Sequence, residues 1–342
     1  MSGITHMNLP VVALALVLST IPCFGGTAAG DDIPRLLKEG MERIHVSRGD
    51  TSLYVLTDAS YVIRNGKTTE RYLDVIMEAT GCSPGKGNLL LFHRPATDPL
   101  TIALFNKTNR ECAVVDADGV RASIRGPVSL AFERLNDDAA WKEIQAAAGP
   151  SESFAITGIF HQWAAGAPYD FMKCAELHNH LCPGITSGYF IAKYIQKFHP
   201  IGRDDSYAYI SCPPWCKDDG IQMMMDLTPG KHGMYVKALS EEQKKRIADP
   251  NAAGIMLLRQ GKNAGATALI LSYDHSAANE LSGSNKFTGL QAKFAALTGL
   301  IPFYHTPERF VKVAKTVEMT AAAADSLGRA GINPYEVLGF VK

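Results

Sequence analysis

The sequence predicts an α+β protein of two related units, each running helix, strand, helix, strand, with helices packed on mixed sheets. Three observations support this class. Helix-period segments and apolar runs of strand length alternate along the chain rather than sorting into blocks of one kind. The order of segments that follows residue 30 returns after Cys174. Two stretches also repeat without gaps at one spacing of 145 residues (219 − 74 and 229 − 84): Asp74-Val75-Ile76 with Asp219-Gly220-Ile221, and Pro84-Gly85-Lys86 with Pro229-Gly230-Lys231.

The first unit opens with a helix from Ile33 to Ile44, where Pro34 in the first turn sits at a position that needs no amide hydrogen. A strand over Ser52 to Leu56 and a helix over Thr68 to Ala79 follow. The glycines of Gly85-Lys86-Gly87 then turn the chain into strands at Leu89 to Phe92, Thr101 to Phe105 and Cys112 to Val115. A short helix over Ala139 to Ala148 leads to Gly149-Pro150-Ser151, a boundary by composition.

The second unit starts a helix at Pro183 and runs it to Phe198, with Gly188, Ile191, Ala192, Ile195 and Phe198 on one face. A strand over Tyr207 to Ile210, a helix over Asp218 to Asp226 and a strand at Met234 to Val236 repeat the earlier order. Ala266 to Leu271 reads as a buried strand ending at Tyr273-Asp274-His275. Thr306-Pro307-Glu308 reads as the start of a long amphipathic helix that Gly328 stops after Leu327.

Residues 1–29 contain no Lys, Arg, Asp or Glu, and Val11 to Leu18 is unbroken apolar sequence. That run is short for a membrane span, and Thr27-Ala28-Ala29 offers a small-x-small cleavage site, so a secretory signal peptide is expected. The remaining chain divides into units at 30–150 and 151–342, and the mature protein is expected outside the cytoplasm, periplasmic or extracellular, with no membrane contact. Over the 342 residues, 34 Lys and Arg balance 34 Asp and Glu, so no polyanion-binding surface is implied and nucleic acid is not an expected partner.

Export bears on the cysteines, since a thiol in an oxidising compartment is expected in a disulfide, on a metal or protected by burial. Cys82, Cys112, Cys174, Cys182, Cys212 and Cys216 lie beyond the leader, and four of them fall between residues 174 and 216. The segment His178-Asn179-His180-Leu181-Cys182-Pro183-Gly184 is the most informative. In an extended strand, His178, His180 and Cys182 would point one way, and Pro183 would set Cys182 at a helix N-terminus that favours thiolate. Two imidazoles and a thiolate suit zinc, with iron, copper or nickel also accommodated.

Cys212-Pro213-Pro214-Trp215-Cys216 lies in the loop after the Tyr207 strand and could supply a fourth ligand, while Asp219 could orient a histidine. A Cys212–Cys216 disulfide, or Cys174 paired with one of them, stands as the alternative. Asp274 beside His275 fits either acid–base chemistry or a turn cap, and Met223-Met224-Met225 points around a helix and reads as core.

These residues resemble the FmdE family, named for a component of formylmethanofuran dehydrogenase. That family shows His-x-His-x-Cys-Pro-Gly before a helix, then Cys-x-x-Asp-x-Ile-Gln, then Thr-Gly-Cys-x-x-Gly-Lys-Gly-Asn. The first element is complete at His178, His180, Cys182, Pro183 and Gly184, and the second stands at Cys216, Asp219, Ile221 and Gln222. The third is degraded here, with Leu227 at the cysteine position. The first unit matches the second and third elements at Asp74, Ile76, Thr80, Gly81, Cys82, Gly85, Lys86, Gly87 and Asn88, but Arg71 replaces the ligand cysteine.

The resemblance implies a tandem, internally dimer-like protein in which only the second unit binds a divalent transition metal, through His178, His180, Cys182 and Cys216. A tandem arrangement would let Cys82 and Lys86 reach across from the first unit to that site, with a purely structural Cys82 as the alternative, while Cys212, in the loop of Cys216, and His232, beside Gly230-Lys231, are the other expected neighbours. Asp219 and Lys231 are the candidates for proton transfer or anion binding if the metal is catalytic. A small molecule or metal complex is the expected partner. Membership of the dehydrogenase is not implied, because export and the absence of a pterin-binding pattern argue against it. A thiol-redox protein cycling Cys212 and Cys216, or a disulfide-stabilised binding module, is the alternative.

Overall fold

The computed structural model describes residues 32–342 apart from 120 and 262–264, so the expected leader at residues 1–29 lies outside the described residues. The first unit runs α1 (Ile33–Arg43), β1 (Leu53–Thr57), a hairpin of β2 (Ile63–Arg64) and β3 (Lys67–Thr68), α2 (Arg71–Thr80), β4 (Leu89–Leu91), β5 (Leu100–Asn106), β6 (Glu111–Ala117) and β7 (Ala122–Ser129). Four helices connect it to the second: α3 (Asp138–Ala148), α4 (Ser153–Ala164), α5 (Tyr169–Met172) and α6 (Cys174–His178). The second unit runs α7 (Pro183–Phe198), β8 (Ser206–Ser211), α8 (Lys217–Met225), β9 (Met234–Val236), α9 (Glu241–Arg246), β10 (Ala252–Arg259) and β11 (Ala266–Tyr273). It closes with α10 (His275–Ser282), α11 (Gly289–Thr298), β12 (Val311–Met319), α12 (Ala321–Leu327) and α13 (Pro334–Val337).

The class is α+β, with two mixed five-stranded sheets. They share one order: β4-β1-β5-β6-β7 in the first, and β9-β8-β10-β11-β12 in the second. In each, the edge strand is parallel to its neighbour and the other pairings are antiparallel, with Val55 opposite Leu89 and Tyr209 opposite Met234. The segments Pro84–Lys86 and Pro229–Lys231 each form a 3-10 turn before that parallel strand.

Helices α1 and α2 cover one face of the first sheet, where Val55, Ile102, Leu104 and Val115 are buried. The opposite face shares a central core with α4, Phe105 stacking on Phe160 and Tyr54 on Trp163 at ring separations of 4.6 Å. That same core holds α7 and one face of the second sheet through Tyr209, Met256 and Leu271. The far face of the second sheet lies under α12 and α13. A continuous core therefore crosses the turn at Gly149–Ser151, although that turn does separate α3 from α4.

The expected long helix after Thr306 is not formed. Residues 311–319 are a strand paired with β11 along its length, and only 321–327 are helical. Val311, Val313 and Val317 recur at even spacing, and β-branched side chains on alternate positions suit a pleated surface better than a helix turn. The Thr320 hydroxyl accepts from the Ala323 amide and starts α12 there. Among the elements that the sequence pattern does not announce are β7, β10 and α4. Helix α4 is buried on nearly all sides, so it has no polar stripe to reveal it. Among the described residues, no helix is long and apolar enough to cross a membrane.

Candidate metal centre

The ends of three segments meet at the N-termini of α7 and α8. Pro183 opens α7 with Cys182 as its N-cap residue, and Cys216 holds the same position before α8. The two helices approach through glycine. A Cβ on Gly184 would lie 2.6 Å from the Cβ of Cys216, and one on Gly220 would lie 3.0 Å from the Ile185 carbonyl oxygen. A side chain at Gly184 would collide with Cys216, and one at Gly220 would press on the Ile185 backbone, which is the physical reason for glycine after Cys182-Pro183.

The third segment is α6, which ends at His178. Asn179 then takes a left-handed conformation with φ of 66°. This breaks the expected strand alternation. His178 turns toward Cys182, its Nε2 3.8 Å from Sγ, whereas His180 turns toward α4 and packs its ring edge-on against Phe154. Ligand atoms of His178, Cys182 and Cys216 all lie within 4.8 Å of one another. His180 is outside this group, although its ring centre is 4.3 Å from that of His178.

The Nδ1–H of His178 donates to Oδ2 of Asp219 at 2.6 Å, which leaves the Nε2 lone pair facing the thiols. A tetrahedral zinc ion with sulfur at about 2.3 Å and nitrogen at about 2.0 Å would separate N from S by roughly 3.6 Å. The observed spacing is close to that value. Two thiols, one imidazole and a carboxylate orienting it therefore fit a borderline-soft divalent ion.

Without a cation, the helix terminus does not give a thiolate at Cys182. Burial pushes its thiol up to about 12, the amides of Ile185 and Gly184 pull the other way, and the neighbouring Cys216 raises it further. Burial likewise holds His180 below the usual imidazole value, with His178 adding to the effect. Cys182 thus favours its neutral thiol, and a cation would reverse that preference.

The loop that carries Cys216 is fixed by its neighbours. Lys217 is buried and donates to the Pro213 carbonyl oxygen and to Asp218 Oδ1, both at 2.7 Å, while Asp218 Oδ2 accepts from the Trp215 amide and the Ser211 hydroxyl. Beside it lies a cleft of about 210 Å³, lined by Ser187, Pro213, Trp215, Asn251, Tyr273 and His275 among others. Trp215 is 51 % exposed, and its ring centre lies 5.5 Å from that of His275. Asp274 caps α10 through the Ala277 amide, so the turn-cap reading describes it, while His275 faces the cleft.

Residues 177–282 match the model of the FmdE family, described as belonging to the molybdenum formylmethanofuran dehydrogenase operon. The chain carries an FmdE domain. Its matched segment contains all three clustered donors, Asp219 and the cleft residues Trp215 and His275, and it ends with α10. No curated protein matches the chain.

Other expected members of the site lie elsewhere. Cys82 belongs to the core beneath α1 and α2, on the far face of the first sheet, and its thiol faces the Leu53 carbonyl oxygen. Lys86 donates to Gly81 O at 2.6 Å. Cys82 thus lies in a different core from the one that Cys182 and Cys216 pack against. Lys231 pairs with Asp226 and, with His232, lines a hollow beside Ser206. Ser206 is the first residue of β8, and the donors lie beyond the last.

Cys212 is buried under α13, where Tyr335 donates to its carbonyl oxygen, in a different core from the one Cys216 packs against. All six cysteines among the described residues are free, so neither expected disulfide is formed. Gly188, expected on the apolar face of its helix, is also a point of close approach to Lys217, and Ser187 beside the cleft carries no sequence signal. The spacing of Gly184 and Gly188, one helical turn apart, is the signal for the close approach of the two helices.

Proposed function

We propose that this is an exported, tandem FmdE-like protein whose second unit binds one transition-metal ion, zinc first among the candidates, through His178, Cys182 and Cys216. The convergence of these three donors, with Asp219 orienting the imidazole, carries the reading. The shared strand order of the two sheets and the 145-residue spacing (234 − 89) of β4 and β9 support duplication. The leader-like residues 1–29 support export.

Three protein donors leave a place for a small-molecule ligand, and a divalent ion there supplies Lewis acidity to whatever occupies it. The chain's own groups do the rest. Asp219 keeps the proton on Nδ1 of His178. Trp215 offers an aromatic wall to a ligand in the adjoining cleft, and His275 offers a nitrogen that can give or take a proton.

Elemental analysis of the chain purified without a histidine tag or chelator tests the reading. About one equivalent of a single metal is expected, lost in Cys182→Ser, Cys216→Ser and His178→Ala and kept in His180→Ala. A metal-free protein, or unchanged content in Cys182→Ser, sinks it.

A further inference from the structure

We propose that the ligand-free first unit positions the metal centre, with Tyr61 and the His93 amide holding α6 so that His178 faces the two cysteines. The inference rests on the metal reading above. Helix α6 has five residues, far fewer than an isolated helix needs in water, so its place must be set by contacts from outside. Asp219 holds His178 from α8 and Lys173 pairs with Glu176 at the start of the helix, and two further contacts come from the first unit and converge on Glu176, two residues before His178. Tyr61 Oη donates to Glu176 Oε1 at 2.8 Å, and the His93 amide donates to the Glu176 carbonyl oxygen at 3.2 Å. One contact fixes the side chain and the other the backbone, which together leave α6 little freedom to rotate.

The geometry of the first unit serves this arrangement. Tyr61 follows β1 and His93 follows β4, so both leave the same end of the parallel pair. Their rings stack with centres 4.5 Å apart, which orients the Tyr61 hydroxyl. Tyr61 also directly precedes the β2–β3 hairpin. The second unit has no counterpart of that hairpin between β8 and α8, where only residues 212–216 intervene. The Tyr61 contact thus comes from the longer connection between β1 and α2, which the second unit lacks. A second tie runs parallel to it, since Arg94 pairs with Glu152 at 2.8 Å at the start of α4.

The test uses the full chain with cobalt(II) as the probe ion, comparing wild type with Tyr61→Phe, Glu176→Ala and Glu176→Gln. Tyr61→Phe keeps the ring and its stacking and removes only the hydroxyl. Wild type is expected to show a thiolate-to-cobalt absorption band together with ligand-field bands. Tyr61→Phe and Glu176→Ala should keep the thiolate band, shift the ligand-field bands as the imidazole moves, and bind cobalt about tenfold more weakly, as displaced orienting groups do. Glu176→Gln keeps an acceptor for Tyr61 and should behave as wild type. If wild type shows no thiolate band, the metal reading fails and this inference with it. A normal wild-type spectrum unchanged in both Tyr61→Phe and Glu176→Ala overturns the inference alone.

Discussion

Gly188→Ala is the sharpest perturbation of the metal centre that touches none of its donors. A Cβ at Gly188 would overlap the Lys217 carbonyl oxygen and lie 2.8 Å from its carbonyl carbon and 2.9 Å from its Cα. Carbon atoms in contact prefer about 3.5 Å or more, so the α7 and α8 backbones must part by roughly 0.7 Å, and further for the oxygen. Neither can yield cheaply, because the obstruction is backbone and Lys217 is pinned by Pro213 and Asp218. Alanine would favour the helix by about 1 kcal/mol on propensity alone, whereas overpacking costs about 1–3 kcal/mol, so the clash wins. The effect on the site is larger than the effect on the fold. Lys217 adjoins Cys216, and metal donors tolerate displacements of about 0.2 Å. Gly188→Ala should therefore lose metal affinity by at least about tenfold, read by competition with a chromophoric chelator, while thermal unfolding shows a folded chain of lowered Tm. Gly230→Ala, whose added Cβ meets nothing within 4 Å, is the control and should match wild type. Wild-type affinity in Gly188→Ala would refute the argument that glycine packing sets the donor spacing.

Two further outcomes follow from the same geometry. Asp219→Ala removes the acceptor for His178 Nδ1 but no donor, so metal should still bind at one equivalent with about 10- to 100-fold lower affinity; because the Asp219 side chain is 45 % exposed and water can substitute, the lower end is expected, and undiminished affinity would count against its orienting role. Asp58 is fully buried with Oδ2 unpartnered, and burial raises its carboxyl from 3.8 to about 7 against the pull of the Thr101 amide and Arg94. Its folded pKa lies above the unfolded one, so the stability it gives is fully present below about pH 4 and is lost as pH rises through 7, up to roughly 4 kcal/mol in all. Asp58→Asn should flatten that part of the pH profile in thermal unfolding between pH 5 and 8; parallel profiles for variant and wild type would reject the assignment.

How much of this was readable from the chain depends on how local each cause is. The Cys182-Pro183-Gly184 helix start follows from its own residues, since proline needs no amide donor there and glycine lets Cys216 approach. That His180 turns away from the cluster of His178, Cys182 and Cys216 was not readable, because it turns on one left-handed residue, Asn179, and nothing in alternating spacing announces it. Helix α4 was invisible for lack of a polar face, and β12 was misassigned because its lysines and alternating valines satisfy a loose helical pattern until β11 claims its backbone. The matching strand orders explain why Cys82 and Lys86 looked like partners of the centre. A shared strand order fixes their place within a sheet, and it does not determine which face of that sheet meets the other unit. The face that does meet it presents Tyr61 and His93 instead, residues outside every repeated stretch. Under the proposed duplication, the part of the first unit that acts on the second is to be sought where the repeat fails to align.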